Sequence, residues 1–503
     1  MIELNSANLA IIGKTIPIPT YYRSAVTTGV VHFGVGGFHR AHQAMYLDRL
    51  MNEGKALNWG ICEVGVMTFD RRMQQTMQKQ DCLYTLVLKD PDGSWEPRIL
   101  GSIVEYLFAP DDPQAVIEKM ADASTKIVSM TVTEGGYNFH HVTGEFDETN
   151  PAVAADLVKG AVPTTTFGLI TEALVRRRAR GLTPFTIMSC DNIQGNGHVA
   201  AKMFTAYAEL REQSWGEAGL ADWVRSEVHF PNSMVDRITP VTTDEDRAEI
   251  ATRYGVQDDW PVVCEPFTQW VLEDDFTLGR PPLQDVGVQV VGDVEPYELM
   301  KLRLLNASHQ ALCYFGHLAG YRLVHEVAQD PLFARFLLAY MDIEATPTLE
   351  PVPGIDLDSY KHQLISRFSN AAVRDTVARL CAESSDRIPK WLLPVIRQQL
   401  TTGGSVTLSA AIVASWARYA EGVDEQGASI EVVDRLADRL RAAAIRQRDE
   451  PLAFIADREL FGDLVDEPAF VSGYSLALSS LYEVGARATL EQLVGALPVG
   501  LTS

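Results

Sequence analysis

The sequence contains few cysteines and no long apolar run, and both shortages restrict the class of protein. The six cysteines are Cys62, Cys82, Cys190, Cys264, Cys313 and Cys381, and no two of them form a C-x-x-C pair. This scatter is typical of reduced, buried thiols in a cytosolic protein. No stretch approaches the roughly 18 consecutive apolar residues of a membrane span, and the start of the chain shows no signal-peptide pattern. We therefore expect a cytoplasmic protein that does not span a membrane.

Positive charge is also scarce, with 43 lysines and arginines against 66 aspartates and glutamates and a formal net charge of −23. A surface of this sign repels nucleic acid and anionic membranes, so we expect neither as a partner. Internal repeats and low-complexity segments are missing as well. The 503 residues are 46% hydrophobic and 22% charged, as in ordinary globular domains, and they suffice for more than one full core.

Strand-like and helix-like segments alternate through the first part of the chain. A β-branched and aromatic run at 30–33 leads into glycines and then into apolar residues at helical spacing. Further strands are predicted at 59–66, 126–133 and 185–190, and a helix at 166–180 precedes the last of them. Such alternation indicates a parallel α/β sheet.

From about residue 290 onward the predicted elements are almost all helical, for example the segments 297–320 and 359–383. The predicted fold class is therefore α/β, with two domains. We predict a Rossmann-like dinucleotide-binding domain with an N-terminal arm at residues 1–290. A mainly α-helical domain that carries substrate binding and catalysis is predicted at residues 291–503.

A glycine-rich turn follows the first predicted strand and opens a helix, with the sequence Gly34-Val35-Gly36-Gly37-Phe38-His39-Arg40. In a dinucleotide fold the first glycine makes the tight turn, the second lets the backbone approach the pyrophosphate, and the helix N-terminus supplies N–H donors. The third glycine of G-x-G-x-x-G is missing, because His39 stands in its place. A plain glycine turn is the alternative, but the strand–turn–helix context favours a dinucleotide site.

Polar side chains follow three further predicted strands. Glu63 and Asp70 are candidates for the acidic residue that binds the adenosine ribose, although a solvated loop carboxylate is an equally good interpretation for either. Glu134 and Asn192 follow two other strands. Because ligands of open α/β sheets bind outside the carboxyl ends of the strands, these two are expected to point at one cleft, with turn and capping roles as the alternative.

The leucine-rich stretch "YELMKLRLLNASHQ" at 297–310 carries Lys301, Asn306 and His309 on one arc at helical spacing. A solvated face is the simpler explanation, but neighbouring Ala311 and Cys313 indicate burial. A charged group is costly to bury. We therefore predict that this arc lines a cleft.

This trio suits the oxidation of a secondary alcohol by NAD, which needs a base for the hydroxyl proton. Burial disfavours the charged form of a lysine and brings its pKa into the range of a useful general base, so Lys301 is the predicted base. The amides of Asn306 and Asn192 are predicted donors to the developing alkoxide. His309 is predicted to orient the substrate or to relay a proton.

A rival dehydrogenase chemistry uses tyrosine as the base. Tyr297-x-x-x-Lys301 matches the Y-x-x-x-K signature of short-chain dehydrogenases. In those enzymes the motif lies inside the Rossmann sheet, whereas here it lies beyond the predicted sheet. Tyr297 is therefore not favoured.

Zinc chemistry is the other rival. A zinc alcohol dehydrogenase needs cysteine, histidine and acidic ligands around an open metal position. The close histidine sets, His39-x-x-His42 and His140-His141, have no cysteine partner at a matching spacing. We predict no metal.

Together these motifs resemble the mannitol dehydrogenase family of polyol-specific long-chain dehydrogenases, from about residue 28 to 490. "GVGGFHRAH" (34–42) is similar to the family's G-x-G-x-F-x-R nucleotide motif, which itself lacks the third glycine. The stretches similar to further family blocks are "TVTEGGY" (131–137), "SCDN" (189–192), "FPNSMVDRITP" (230–240) and "CEPFTQWVLED" (264–274). The most specific match is K-x4-N-x2-H, met by Lys301, Asn306 and His309.

The resemblance implies a metal-independent, NAD-linked enzyme that oxidises a polyol to a ketose, with mannitol to fructose as the expected reaction. Lys301 would be the general base, Asn192 and Asn306 the oxyanion-binding amides, and His309 the residue that orients the substrate. Glu134 would lie on a proton route to solvent. Cofactor binding is implied for Gly34, Gly36, Gly37, Phe38, Arg40 and Asp70, with Asp70 preferred to Glu63.

The resemblance also implies that Arg379 binds a distal substrate hydroxyl and that the protein is a monomer. Other family members oxidise arabinitol or reduce fructuronate and tagaturonate, so these are alternative functions. A non-catalytic NAD-binding sensor is a third possibility, which would bind the cofactor and turn over nothing.

Overall fold

The computed structural model describes residues 1–139 and 144–497, which fold into two compact units. The N-terminal unit comprises Met1–Asp90 and Ser94–Glu295, and the C-terminal unit comprises Pro91–Gly93 and the chain from Pro296 onward. The sequence patterns placed a boundary after residue 290, five residues before this division. His140 and His141 lie outside the described residues.

The N-terminal unit is built around a parallel sheet. The strands of the whole unit are β1 (Ile2–Glu3), β2 (Thr28–Phe33), β3 (Gly60–Gly65), β4 (Tyr84–Lys89), β5 (Trp95–Leu100), β6 (Ile103–Phe108), β7 (Ile127–Met130), β8 (Thr186–Ser189), β9 (Ser233–Asp236), β10 (Val256–Gln257), β11 (Val262–Cys264), β12 (Gln269–Glu273) and β13 (Gln289–Val291). The main sheet runs in the order β6-β3-β2-β7-β8, and every neighbouring pair is parallel. This confirms the predicted α/β fold.

The central strand β2 explains why the run at 30–33 predicted a strand of a parallel sheet. Successive side chains of a strand point to opposite faces of the sheet. Val30 packs into the core on one face, whereas Val31 and Phe33 pack into the core on the other. A strand that is buried on both faces reads as a continuous apolar run, which is typical of parallel sheets.

Two smaller sheets, with strand orders β11-β4-β5 and β13-β12-β9, were not predicted. β4 and β5 form an antiparallel hairpin in which Leu86 lies opposite Arg98. β9 and β12 are also antiparallel. Polar residues and a proline interrupt β5, and β11 and β13 are very short, so these strands leave little hydrophobic period in the sequence.

Helices of the N-terminal unit connect these strands. They are α1 (Leu9–Ile12), α2 (Gly37–Ala41), α3 (Gln43–Asn52), α4 (Arg71–Lys79), α5 (Pro113–Ala121), α6 (Thr133–Gly136), α7 (Pro151–Asp156), α8 (Thr166–Ala179), α9 (Asn196–Trp215), α10 (Leu220–Glu227) and α11 (Asp244–Tyr254). The chain from Gly37 to Asn52 was expected to be one helix, but it breaks at His42, whose backbone angles are φ −123° and ψ −90°.

The C-terminal unit is helical, as predicted. Its α-helices are α12 (Glu295–Met300), α13 (Ala307–Leu318), α14 (Val324–Gln329), α15 (Pro331–Ala339), α16 (Leu357–Phe368), α17 (Val377–Cys381), α18 (Ser384–Trp391), α19 (Leu393–Thr402), α20 (Thr407–Tyr419), α21 (Ala437–Arg446), α22 (Arg458–Phe461), α23 (Pro468–Glu483) and α24 (Gly485–Gly495). Two π-helical turns, Lys301–Asn306 and Tyr340–Ala345, extend α12 and α15. Short 3-10 turns lie at Ser6–Asn8, Arg23–Ala25, Thr68–Asp70, Leu283–Val286, Thr346–Thr348 and Leu464–Asp466.

The prediction of one continuous helix over 359–383 is wrong. α16 ends at Phe368, and an irregular segment pairs with the chain before α14, where Val324 N–H donates to the Asp375 carbonyl at 2.9 Å. Thr376 then caps α17 by accepting from Arg379 N–H at 3.3 Å. The polar and turn-forming residues between the two helices satisfy the backbone locally, which competes with helix formation.

All six cysteines are free thiols and buried. Within the described parts of the chain, no helix is both long and apolar enough to cross a membrane.

Candidate active site

The glycine turn between β2 and α2 shows two different needs for glycine. Gly34 has φ +100°, and a side chain there would collide with the Thr131 carbonyl. Gly36 caps α2 in an extended conformation, and a Cβ built on it would meet no atom within 4 Å. Packing within the protein therefore explains Gly34, whereas the open space at Gly36 is what the close approach of a pyrophosphate requires.

The residues that follow the glycines point partly inward. Gly37 opens α2, and Phe38 is half-buried with its ring stacked on His42 at a centroid distance of 4.9 Å. Arg40 is only 2% exposed. Its guanidinium donates to the Trp260 carbonyl at 2.5 Å, and burial lowers its pKa. Arg40 is thus held by the interior of the unit, at the end of the glycine-turn helix.

The two acidic candidates after β2 differ in their surroundings. Asp70 is half-buried beyond the end of β3, where one carboxylate oxygen accepts from the backbone amides of Val66 at 3.0 Å and Met67 at 2.9 Å. Glu63 lies in the middle of β3 and is fully buried. A carboxylate buried in the middle of a strand has no access to a ribose at the strand end, so the geometry favours Asp70.

Glu63 instead belongs to a buried cluster with His32 and His39. Glu63 Oε1 lies 2.9 Å from His39 Nε2, and the two imidazole rings stack at 3.4 Å. The potential ligand atoms of the three residues lie within 4.8 Å of one another. Parallel stacked rings direct their in-plane lone pairs side by side instead of toward one point. We therefore interpret the cluster as an acid–imidazole pair supporting α2.

Burial sets the charge of this cluster. It lowers the pKa of both imidazoles to about 3 and raises the pKa of the Glu63 carboxyl to about 7. All three groups are accordingly neutral in mildly acidic solution, which is the expected response of ionisable groups to a low dielectric. His42, the other histidine of the H-x-x-H pattern, bonds to the Gln269 carbonyl at 2.8 Å.

Asp191 joins the turns that follow β7 and β8. It is 6% exposed, and its two oxygens accept from Thr133 N–H at 2.7 Å, Val132 N–H at 3.2 Å and Tyr137 O–H at 2.9 Å. Glu134 and Asn192, each adjacent to one of these bonded residues, are both exposed. The predicted convergence of Glu134 and Asn192 on one edge of the sheet therefore has a physical cause.

The Asp191 carboxylate also stabilises an unusual backbone. Thr133 has φ +60°, which is costly for a β-branched residue. Burial raises the pKa of Asp191 to about 6, although three hydrogen bonds favour its ionised form. Sequence analysis named Asn192 and Glu134 but missed Asp191, because a carboxylate that bonds backbone amides leaves no spacing motif.

In the C-terminal unit, Lys301 and Asn306 begin and end a single π-helical turn. Lys301 is 7% and Asn306 is 4% exposed, so the alternative of a solvated face is wrong. A π-turn inserts one extra residue per turn and is frequently found at functional sites. The amide nitrogen Nδ2 of Asn306 has no hydrogen-bond partner among the described residues. It is a buried donor that a ligand oxygen would satisfy.

His309, one turn further on, is also buried and incompletely bonded. Its Nε2 has no hydrogen-bond partner within the described chain, and its ring packs on Phe368 at 4.7 Å. Burial lowers the pKa of His309 well below its usual value, and Arg379, Arg367, Arg387 and Lys301 lower it further. His309 is therefore a neutral imidazole at physiological pH.

Arg379 is the predicted distal-hydroxyl ligand, and its side chain is about half exposed. Its guanidinium makes a bidentate pair with Asp375, with Nε–Oδ1 at 2.6 Å and Nη2–Oδ2 at 2.5 Å. Asp375 thereby fixes the side chain, while the guanidinium remains close enough to affect His309. Arg367 and Arg387 are further cations of this cluster that sequence analysis missed, since tertiary packing alone brings them to His309.

Tyr297, the rival base, has a structural role. It is 3% exposed and its hydroxyl donates to the Pro353 carbonyl at 2.7 Å. Burial raises its pKa. A hydroxyl that is bonded to a backbone carbonyl and resists ionisation is a poor proton acceptor, so this geometry argues against the short-chain alternative.

The fold and these groups define a class: a dehydrogenase with a Rossmann-type domain and a helical domain that carries a lysine–asparagine–histidine set. Comparison with known proteins agrees. Residues 28–285 match the mannitol dehydrogenase Rossmann domain, and residues 293–482 match the mannitol dehydrogenase C-terminal domain. The chain belongs to the mannitol dehydrogenase family, and the resemblance read from its motifs is confirmed.

Several relatives are similar over almost the whole chain. A mannitol 2-dehydrogenase of Phaeosphaeria nodorum is 45% identical over 98% of this chain and 85% of that protein. Mannitol dehydrogenase 2 of Saccharomyces cerevisiae is 45% identical over 98% and 97%. The solved Pseudomonas fluorescens mannitol 2-dehydrogenase, a ternary complex with NAD and D-mannitol, is 44% identical with a TM-score of 0.89 over 99% and 100% of the two chains. A solved D-sorbitol dehydrogenase is 36% identical, with a TM-score of 0.86 over 97% and 100%.

Proposed function

We propose that this protein is an NAD-dependent mannitol 2-dehydrogenase that interconverts D-mannitol and D-fructose. The observation that carries the proposal is the match, over nearly its full length, to a solved mannitol 2-dehydrogenase bound to NAD and D-mannitol. Asn306 Nδ2 and His309 Nε2, buried and without partners among the described residues, support it, since substrate hydroxyls would complete their hydrogen bonds.

NAD, held at the glycine turn, would supply the hydride acceptor for oxidation at C2 of the polyol, so that the products would be the ketose, NADH and one proton. Lys301 is the proposed general base and takes the proton of the C2 hydroxyl on its Nζ. This step needs the neutral amine, and the Lys301 side chain is buried. The reverse reaction returns the same proton from the Lys301 ammonium to the carbonyl oxygen of the ketose.

The oxyanion that forms at C2 needs donors that are already in position. We assign this role to the Asn306 amide, whose Nδ2 has no partner among the described residues, and to the Asn192 amide. Neutral His309 is proposed to orient the substrate through Nε2. Glu134, exposed after β7, is proposed to exchange protons with solvent.

The cofactor contacts are assigned to the turn and strand end of the N-terminal unit. Gly34 and Gly36 shape the turn, Gly37 opens α2 toward the pyrophosphate, and Asp70 is proposed to bind the adenosine ribose. Phe38 and Arg40 are proposed to support this turn from within. No step of the proposal uses a metal, so chelation should leave activity unchanged, and loss of activity restored by zinc would refute that part.

A second candidate function follows from the cations around His309. Arg379, Arg367 and Arg387 together lower the pKa of His309, and such a group also suits a substrate carboxylate. Reduction of a sugar acid such as fructuronate or tagaturonate is therefore the alternative. Arg379 would bind a distal hydroxyl in the first case and a carboxylate in the second.

A substrate panel separates these functions. Steady-state rates are measured with mannitol, sorbitol, arabinitol, fructose, fructuronate and tagaturonate, each with the NAD and the NADP form of the cofactor. We expect the highest kcat/KM for mannitol and fructose with NAD and NADH. A preference for the sugar acids would replace the proposed function with the alternative, and NADH binding without turnover of any compound would indicate a sensor.

A monomeric, cytoplasmic enzyme is part of the proposal. The free, buried cysteines support the cytoplasmic location, because they suit a reducing compartment; the monomer rests on the family resemblance alone. Sedimentation at several concentrations tests the monomer, and a concentration-dependent increase in mass would contradict it.

A further inference from the structure

A cavity with both cationic and apolar lining residues lies in the N-terminal unit. Its volume is about 500 Å³, which is in the range of small-molecule sites. Three arginines line it: Arg49 from α3, Arg98 from β5, and Arg237, which directly follows β9. None of them belongs to the glycine turn or to the lysine–asparagine–histidine set.

These three arginines have no ion-pair partner among the described residues, a property they share with Arg40 and Arg177 of the same unit, whose guanidiniums donate to backbone carbonyls. Elsewhere in the same unit arginines pair with carboxylates, as Arg71 does with Asp111 and Arg280 with Asp274. The unit sits in a chain of net charge −23, so acidic partners are abundant. A cluster of three guanidiniums without an ion pair in such a chain needs an explanation.

Arg237 is the most demanding member of the cluster. It is 4% exposed, and two of its nitrogens donate to backbone carbonyls, Nη1 to Ala41 at 2.6 Å and Nε to Glu265 at 3.0 Å. Its Nη2 is buried without a hydrogen-bond partner in the described chain. A buried, unsatisfied charged donor is costly, and a bound anion would remove that cost.

The charges of the other two arginines act on Arg49. Burial lowers the pKa of this guanidinium, and the charges of Arg237 and Arg98 lower it further. Asp48 is the neighbouring carboxylate; burial raises its pKa, and the charge of Arg98 lowers it. Its Oδ1 accepts from Tyr21 O–H at 2.6 Å and Gly101 N–H at 2.9 Å, and its Oδ2 accepts from Asn52 Nδ2 at 2.8 Å. Exposed Glu96 also lines the cavity, and its single negative charge is outnumbered by the three arginines, so the lining is positive overall.

The remaining walls are apolar. Leu86 and Leu88 of β4 lie opposite Arg98 and Glu96 of β5, and Met45, Trp95, Pro97 and Tyr254 complete the lining with Thr15 and Pro17. A cavity with cations on one side and apolar walls on the other fits an organic anion better than a free inorganic ion. Its carbon part would cover the apolar walls.

We propose that this arginine cavity, formed by Arg49, Arg98 and Arg237, binds a small phosphorylated metabolite at a site separate from the cofactor turn. A phosphate monoester offers three acceptor oxygens and a charge of about −1.5 to −2, whereas a carboxylate offers two oxygens and a single charge. Three guanidiniums match the phosphate more closely, and arginine is the residue best suited to bind it through paired donors.

Calorimetric titration of the full-length enzyme tests the site. Saturating NADH is present throughout, so that the pyrophosphate position of the cofactor is occupied. The probes are glycerol 3-phosphate, inorganic phosphate, malonate as a carboxylate, and glycerol as the phosphate-free control. We expect one molecule of glycerol 3-phosphate per chain, displaced by inorganic phosphate, and no binding of glycerol.

Matched variants locate the binding. Arg98→Gln changes an exposed residue and should fold normally, and Arg49→Gln removes a second guanidinium. Each should weaken glycerol 3-phosphate binding by about tenfold or more, with NADH affinity and basal turnover unchanged. Arg225→Gln is the control, since Arg225 is exposed on α10 of the same unit and paired with Glu209 and Asp222; it should bind the probe like the wild type.

Three outcomes would overturn the proposal. These are no saturable binding up to ~10 mM probe in the presence of NADH, binding that both arginine variants retain, or binding of malonate in preference to both phosphates. None of these depends on the identity of the substrate that the dehydrogenase oxidises, so the proposed function and this site fail independently.

Discussion

The carboxylate of Asp191 accepts the backbone amide of Thr133 at 2.7 Å and so fastens the turn after β7 to the turn after β8. Thr133 precedes Glu134, and Asp191 precedes Asn192. The two exposed polar residues that the sequence placed at strand ends are therefore positioned by a buried residue between them. The buried Asp191 carboxylate thus holds the two turns that carry the candidate site residues Glu134 and Asn192.

We predict that Asp191→Asn lowers both stability and turnover. The substitution places an amide donor against backbone donors, which should cost about 1–3 kcal/mol of unfolding free energy. Displacement of Glu134 and Asn192 should reduce kcat more than it changes KM for NAD. Thermal unfolding and steady-state kinetics measure the two effects.

The matched control is Asp156→Asn. Asp156 is likewise buried and accepts the backbone amides of Thr164 at 2.8 Å and Thr165 at 2.9 Å. This variant should lose comparable stability but keep its kcat. Equal losses of kcat in the two variants would show that Asp191 contributes stability alone.

The two glycines of the cofactor turn should respond differently to alanine. Gly34→Ala introduces a side chain at φ +100° and against the Thr131 carbonyl, so we expect a lower melting temperature. Gly36→Ala meets open space and should fold normally. Its methyl group would instead occupy the space proposed for the pyrophosphate and raise the Kd for NADH, as cofactor fluorescence can measure. A Gly36→Ala variant with unchanged NADH affinity would contradict the proposed cofactor position.

Lys301→Ala should abolish most turnover while NADH still binds. Loss of a general base costs roughly a hundred- to ten-thousand-fold in kcat, and small primary amines added to the solution should restore part of the rate. Lys361→Ala is the control, because Lys361 is a buried lysine of the same unit that pairs with Asp342 and Asp358. That variant should lose stability but keep the chemistry, and an active Lys301→Ala enzyme would eliminate the proposed base.

Glu63 should make stability depend on pH in an unusual direction. Its pKa is about 7 in the folded protein and near the ordinary 4.5 in the unfolded chain. Between these values the folded state holds a proton that the unfolded state has released. The stability contributed by Glu63 therefore falls as pH rises from about 4.5 to about 7.

Comparison of the wild type with Glu63→Gln isolates this effect. His32 and His39, whose pKa values are lowered to about 3, act in the opposite direction in acid, and Arg40 is the charged neighbour. Because these groups are present in both proteins, most of their contribution cancels when the two melting temperatures are subtracted. We expect the melting temperature of Glu63→Gln to rise relative to that of the wild type as the pH increases from about 4.5 to about 7. Parallel curves would mean that Glu63 titrates normally.

Much of the architecture could be predicted from the sequence because β2, β3, β7 and β8 are buried on both faces and form short, largely apolar runs, with Glu63 of β3 as a buried exception. The glycine turn and the K-x4-N-x2-H spacing could be predicted for a different reason, because the local chemistry requires a particular residue type at each position. The small antiparallel sheets were not, since their short strands carry little hydrophobic period. The helix predicted over 359–383 failed because polar residues between α16 and α17 bond the backbone locally.

The sequence by itself determined the fold class, the family and the set of polar residues set among leucines at 297–310. Only the tertiary structure decided how those residues are presented. It folded Lys301–Asn306 into a π-turn, left Asn306 Nδ2 and His309 Nε2 buried with no hydrogen-bond partner in the described part of the chain, and bonded Tyr297 to the Pro353 carbonyl. The physical reason is that burial and hydrogen-bond satisfaction are properties of the packed chain, set by residues far away in sequence.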